Sequence, residues 1–154
     1  MLVKMMNRLK KEEKGFTLIE LLAVIVILAV IAAIAVPYIL GVIDKSKKDA
    51  DVAAFNQIYN AAQLYIAAGS STVNVPSTGT GSVSVATLIS EKFLDTGIVY
   101  PSTKATITAG TLNYTDGKLS GNVTITAGTK TFSLPSTAVV AGSSSSAPTE
   151  VTAP

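Results

Sequence analysis

Residues 14–37 read KGFTLIELLAVIVILAVIAAIAVP, and no polar side chain occurs between Leu21 and Val36. About 20 apolar residues are enough for a helix to cross the ~30 Å hydrocarbon core of a bilayer. Glu20 stands at the start of this run, and a charged side chain inside a membrane costs from roughly 2.5 kcal/mol upward. We therefore expect Glu20 to have a partner and a role.

The residues before the apolar run are basic, since residues 1–15 carry five Lys or Arg and two Glu. Positive charge beside an apolar helix tends to stay in the cytoplasm, which predicts a single-pass protein with its N-terminus inside. A secretory signal would instead end at a small-residue cleavage site, which Ala32, Ala33 and Ala35 could imitate. The helical pattern continues past these alanines to Ile43, which favours a retained anchor.

Composition limits the chemistry available to the chain. Its 154 residues allow one modest domain beside the apolar segment, and the mean hydropathy is +0.47. There is no cysteine and no histidine, which removes disulfides, thiol chemistry, and the commonest general base and metal ligand. After residue 15, seven lysines face eight acids, so no basic surface for nucleic acid is expected.

The helical pattern changes character after residue 51. From Val52 to Ala68 the apolar residues follow 3-4 spacing on one face, which predicts an amphipathic half-helix packed on a domain. A helix over 16–68 would be about 80 Å long at ~1.5 Å per residue, so the apolar half is expected to protrude into lipid or among other helices. Pro37 and Gly41 mark the expected kink or local melting.

The remaining sequence predicts a small α+β head. We expect a loop over 73–85, a short helix over 85–94 and three antiparallel strands over 105–114, 119–126 and 130–134, with a hairpin turn at Asp116-Gly117. The Ser/Pro-rich end is expected to be disordered. The predicted domains are a leader over 1–15, an apolar helix over 16–51, a head over 52–140 and a tail over 141–154.

The stretch KGFTLIELL at 14–22, with its basic leader and Pro37, resembles the class III signal of type IV pilins and of competence and type II secretion pseudopilins. The resemblance implies a long helix on a small antiparallel sheet. It further implies that a membrane prepilin peptidase cleaves between Gly15 and Phe16 and methylates the new amine of Phe16. An assembly platform with its ATPase would then move the subunits from the membrane into a helical filament on the cell surface.

The position of Glu20 fits that resemblance on physical grounds. Cleavage creates an α-amino group on Phe16, one helical turn from Glu20, and in a bundle of helices the amine of an incoming subunit could pair with Glu20 of a neighbour. A subunit in the wrong register would bury one charge unpaired, so the pair is expected to set register more than to add stability. The simpler alternative is that Glu20 is a tolerated residue at the end of an ordinary anchor.

The favoured function is a structural pilus subunit that forms a homopolymer with itself and other pilins, as in adhesion or twitching motility. The alternatives are a competence or type II secretion pseudopilin, and an adhesive or DNA-binding minor pilin. Only scattered lysines support the last one; they are Lys104, Lys118 and Lys130. The absence of cysteine departs from the disulfide-closed loop of many Gram-negative pilins.

No catalytic, cofactor or metal site is predicted. A tethered enzyme would need convergent titratable groups, and calcium would need more acids than the three that follow residue 94, which are Asp95, Asp116 and Glu150. The mixed charges over 44–51 are expected to be a solvated helix face.

Overall fold

The computed structural model describes residues 16–69, 75–76, 78–142 and 146–151. The chain divides into two compact units between Val42 and Ile43, and one long helix contributes to both. The helices are α1 (Leu18–Ala67), α2 (Val85–Ser90) and α3 (Ser136–Ala141). The strands are β1 (Thr80–Ser84), β2 (Val99–Tyr100), β3 (Ala105–Thr115), β4 (Lys118–Ala127), β5 (Lys130–Pro135) and β6 (Thr149–Val151).

The first unit contains the apolar half of α1. The described side chains from Phe16 to Val42 are exposed, apart from a half-buried Ala35, because the described part of this unit is a single helix with no second layer to cover it. The helix is continuous through Pro37 and Gly41. The predicted melting at these two residues concerns assembly and stays a prediction.

The second unit begins at Ile43 and uses the other half of α1 as one layer of its core. The predicted stripe is confirmed, with the following residues buried: Val52, Ala54, Phe55, Ile58, Ala61, Ala62 and Tyr65. Asp51, which precedes the predicted stripe, is buried as well. Against this stripe lies the inner face of the sheet, whose buried side chains include Ile107, Leu112, Tyr114, Val123, Ile125 and Phe132. The predicted α+β fold, a long helix packed on a small antiparallel sheet, is therefore confirmed.

The sheet is antiparallel throughout, in the order β1-β3-β4-β5-β6, and β2 pairs with the first residues of β3. The predicted hairpin between β3 and β4 is confirmed. Asp116 and Gly117 both have positive φ, 50° and 74°, as the two-residue turns that match strand twist require.

The structure corrects the prediction of only three strands. β1 lies in the predicted loop over 73–85, and β2 was not predicted. β6 lies in the predicted tail over 141–154, where the expectation of disorder fails at residues 149–151. These strands are two to five residues long and add to existing edges, so main-chain pairing with β3 and β5 stabilises them despite their weak apolar patterns. The short helix ends at Ser90 instead of Leu94.

Two features show how tightly the head is packed. The Tyr100 ring stacks on Phe132 with 4.2 Å between centroids and meets the edge of Phe55 at 6.4 Å. Gly110 leaves no room for a side chain, because a Cβ there would lie 2.5 Å from the carbonyl oxygen of Thr124. Larger residues at 110 would have to displace backbone.

Candidate assembly site

The start of α1 is held by Thr17 and Glu20. The backbone N–H and the hydroxyl of Thr17 each donate a 2.8 Å hydrogen bond to Oε2 of Glu20, and the Glu20 N–H donates to the Thr17 hydroxyl at 3.3 Å. Thr17 directly precedes the first helical residue, and Glu20 is the third residue of the helix. This reciprocal arrangement is a capping box, which satisfies N–H groups that a helix start otherwise leaves without partners.

The capping box gives Glu20 a local role that the sequence analysis missed. The signal was readable, because Thr17-Leu18-Ile19-Glu20 is the Thr-x-x-Glu pattern of such boxes. Both bonds from Thr17 reach Oε2. A carboxylate offers about four acceptor positions. Capping uses two of them, so Glu20 can also accept a hydrogen bond from a cationic group.

The surroundings of the capping box are apolar and exposed. Phe16, Leu18 and Ile19 are 82%, 88% and 73% exposed in the isolated chain. Phe16 is the first described residue, so Gly15 and the leader over 1–15 lie outside the part of the chain that the structure describes. The predicted cleavage site is thus represented only by its Phe16 side.

Beyond the capping box, α1 has the length and composition of a membrane span. Its most apolar 18-residue window has a mean hydropathy of 3.1, and none of that window is buried. Exposed aliphatic side chains surround the helix up to Ile43, so water is an unfavourable environment for this half. Pro37 and Gly41 lie within this exposed half.

The charged stretch after the span is not uniform. Residues 44–49 are exposed, as the prediction of a solvated face requires, but Asp51 is buried with 7% exposure, which corrects that prediction at one position. Within the described ranges, no group of three or more His, Cys, Asp or Glu side chains is placed to hold a metal ion.

Comparison with known protein families identifies the helix start. The prokaryotic N-terminal methylation motif matches residues 10–36, a range that contains Gly15, Phe16 and Glu20. The chain carries a type IV pilin-like class III signal peptide. No curated protein and no solved structure matches the chain significantly.

Residues 10–36 support a type IV pilin-family or pseudopilin precursor, and the motif points to a structural subunit rather than to an enzyme. The apolar half of α1 is long and apolar enough to support membrane insertion. The motif also suggests assembly with other pilins and processing by the prepilin peptidase.

Proposed function

We propose that this protein is a structural subunit of a type IV pilus. A prepilin peptidase removes the leader over 1–15 between Gly15 and Phe16 and methylates the amine of Phe16. The apolar helix over 16–51 holds the subunit in the cytoplasmic membrane and then packs in the centre of an extracellular filament, while the head over 52–140 forms the filament surface. Assembly uses a membrane platform and its ATPase.

One observation carries the proposal: the methylation motif at 10–36 coincides with the half of α1 whose described side chains, apart from Ala35, are exposed. A helix that is apolar all round requires lipid or other apolar helices as its environment. A precursor in the membrane has the first, and a bundle of identical helices provides the second. Exchange between the two environments keeps the apolar surface away from water throughout.

Glu20 has two successive tasks in this proposal. In the precursor its carboxylate caps α1 through Thr17. After cleavage the amine of Phe16 on another subunit approaches the same carboxylate, and the paired charges fix the register between copies, because a shifted copy leaves a buried charge unpaired. Methylation keeps the charge of the amine and so keeps the pairing.

The nearest competing proposal is a competence or type II secretion pseudopilin, which shares the signal peptide and builds a shorter filament. An adhesive or DNA-binding minor pilin is less favoured, because the described residues of the head form no basic cluster. Lys92, Lys104, Lys118 and Lys130 lie in separate turns or strands, and Lys130 is paired with Glu150 at 2.9 Å.

The test is deletion of the gene in the native host. Loss of abundant surface filaments in electron micrographs, restored by the wild-type gene, supports the proposal, and the pilus preparation should contain this chain as its main component. Filaments that persist unchanged after deletion contradict it. Loss of DNA uptake or protein secretion without loss of long filaments favours the pseudopilin instead.

A further inference from the structure

A groove in the second unit lies between α1, α3 and the start of β4. Its volume is about 590 Å³, and its walls include Tyr59 and Gln63 of α1, Val140 of α3, and Lys118 and Leu119 of β4. Val140 is 59% exposed although it is aliphatic. The groove therefore combines apolar walls with one cation, Lys118.

A buried polar atom close to one end of the groove lacks a hydrogen bond. Oδ1 of Asn56 has no partner among the described residues, and the Asn56 side chain lies beside the C-terminal end of α3: a Cβ at Gly142 would be 3.4 Å from its Nδ2. Buried polar groups in folded proteins are normally paired, so this region has hydrogen-bonding capacity that the isolated chain does not use.

We propose that this groove receives the Leu40–Asp44 segment of α1 from a second copy of the chain, an inference that rests on the proposed filament. Leu40, Ile43 and Asp44 share one helix face by their 3-4 spacing. Leu40 and Ile43 are 58% and 43% exposed. An amphipathic helix laid in an apolar groove is a common mode of recognition, and here it would cover apolar surface on both partners.

Charge complementarity favours this occupant. Asp44 follows Leu40 by one turn, and Lys118 stands at the groove. Neither side chain makes an ion pair within the described part of the chain, where the ion pair found joins Lys130 and Glu150. Docking of the segment brings an unpaired carboxylate to an unpaired ammonium.

The contact is also distinct from the one at the helix start. For Asp44 of one copy to lie at the same height as Tyr59 of another, the two α1 helices must be shifted along their axes by 15 residues. This shift is about 22 Å at 1.5 Å per residue. The Phe16 amine meets Glu20 at an offset of only about 6 Å, one helical turn. The two contacts therefore join a subunit to different neighbours along the filament, and Leu40–Asp44 is the end of the same apolar surface that the filament centre uses.

Cysteine cross-linking tests the contact directly, because the chain contains no cysteine. Filaments of the Ile43→Cys/Val140→Cys variant, oxidised and then dissolved in detergent, should give a ladder of disulfide-linked multimers on non-reducing gels. Neither single variant should give the ladder. If the double variant forms filaments in normal amount but gives no ladder, the inference is wrong and the groove binds something else. The proposed function would not be affected by that result. Absence of filaments from the wild-type chain would instead contradict the proposed function.

A charge exchange keeps the test decisive if the cysteine variant does not assemble. Lys118→Glu should lower filament yield by about 2- to 5-fold, the range that an exposed ion pair supports. Asp44→Lys with Lys118→Glu should restore most of the yield, and Lys104→Glu should leave it unchanged as the matched control. If the double variant assembles no better than Lys118→Glu alone, the inference is wrong.

Discussion

Asp51 and Ser102, 51 positions apart in the sequence, are joined by two hydrogen bonds within the second unit. Oδ1 of Asp51 accepts the backbone N–H of Ser102 at 2.9 Å, and Oδ2 accepts the Ser102 hydroxyl. Asp51 stands at the first buried turn of α1, and Ser102 lies in the turn between β2 and β3. This pair ties the helix to the sheet at one end of the core.

We expect Asp51→Ala to lower the free energy of unfolding by about 2–3 kcal/mol, because hydrogen bonds to a charged group are lost and the Ser102 N–H is left without its partner. Ser102→Ala removes only the hydroxyl and should cost about 1 kcal/mol. Denaturant titration of the full chain in detergent measures both. Asp49→Ala, at an exposed position of the same helix, is the control and should change stability by less than about 0.5 kcal/mol. Equal effects at 51 and 49 would contradict this role.

Gly110→Ala tests the packing of β3 on its neighbours. The added Cβ would lie 2.5 Å from the Thr124 carbonyl oxygen and 2.8 Å from Cγ2 of Val85. Because one obstacle is backbone, we expect a loss of about 1–3 kcal/mol, the usual range for overpacking. Thr108→Ala, on an exposed position of the same strand, should be close to neutral in the same titration. If Gly110→Ala has the same free energy of unfolding as the wild type, the backbone of β4 moves to make room for the added Cβ, and the prediction is wrong.

Two tyrosines should make the head sensitive to alkali. Burial raises the pKa of Tyr100, and nearby Asp51 adds to the shift; burial also raises the pKa of Tyr114, with Tyr59 adding to it. A pKa raised in the folded state means that the unfolded chain loses its protons first, so stability is complete below about pH 10, the ordinary tyrosine value, and falls as pH rises above it.

Absorbance titration measures this effect, since tyrosinate absorbs differently from tyrosine. Tyr100 and Tyr114 should ionise only as the protein unfolds. The Tyr100→Phe/Tyr114→Phe variant keeps the rings and should resist alkali better, because it has no hydroxyl at these two positions that could ionise when the chain unfolds. Ionisation of all five tyrosines before any loss of structure would contradict the prediction.

Much of the fold was predictable because its signals are local and strong. The apolar run, the 3-4 stripe over 52–68 and the Asp116-Gly117 turn each specify an element without reference to the rest of the chain. The short strands β1, β2 and β6 could not be predicted in this way. Their stability comes from partners distant in sequence, as when Thr149–Val151 pairs with β5.

The candidate assembly site was partly predictable for a similar reason. Phe16 and Glu20 stand in a recognisable motif, but Asp51 looked like one charge among several on a solvated face. Its burial depends on Ser102, which no local pattern connects to it. The capping role of Thr17 is different, because the Thr-x-x-Glu pattern at 17–20 is local and predicts it from the sequence.

Paired substitutions can separate the two tasks of Glu20. Glu20→Gln keeps an acceptor for the Thr17 N–H but removes the charge, so we expect normal membrane insertion and cleavage with filament yield lowered at least about tenfold, as for a lost buried ion pair. Thr17→Ala removes the hydroxyl of the cap, worth about 1 kcal/mol, and should leave filaments abundant. Equal loss of filaments in both variants would mean that capping alone explains Glu20. Immunoblots of membranes and of sheared filaments give the two readouts.

The most direct measurement is the mass of the mature N-terminal peptide from filaments purified from the native host. The proposed function predicts a chain that begins at Phe16 and carries one N-methyl group, with Glu20 unmodified. A chain that begins after Ala33 or Ala35 would lack both Phe16 and Glu20, and that result would contradict the account.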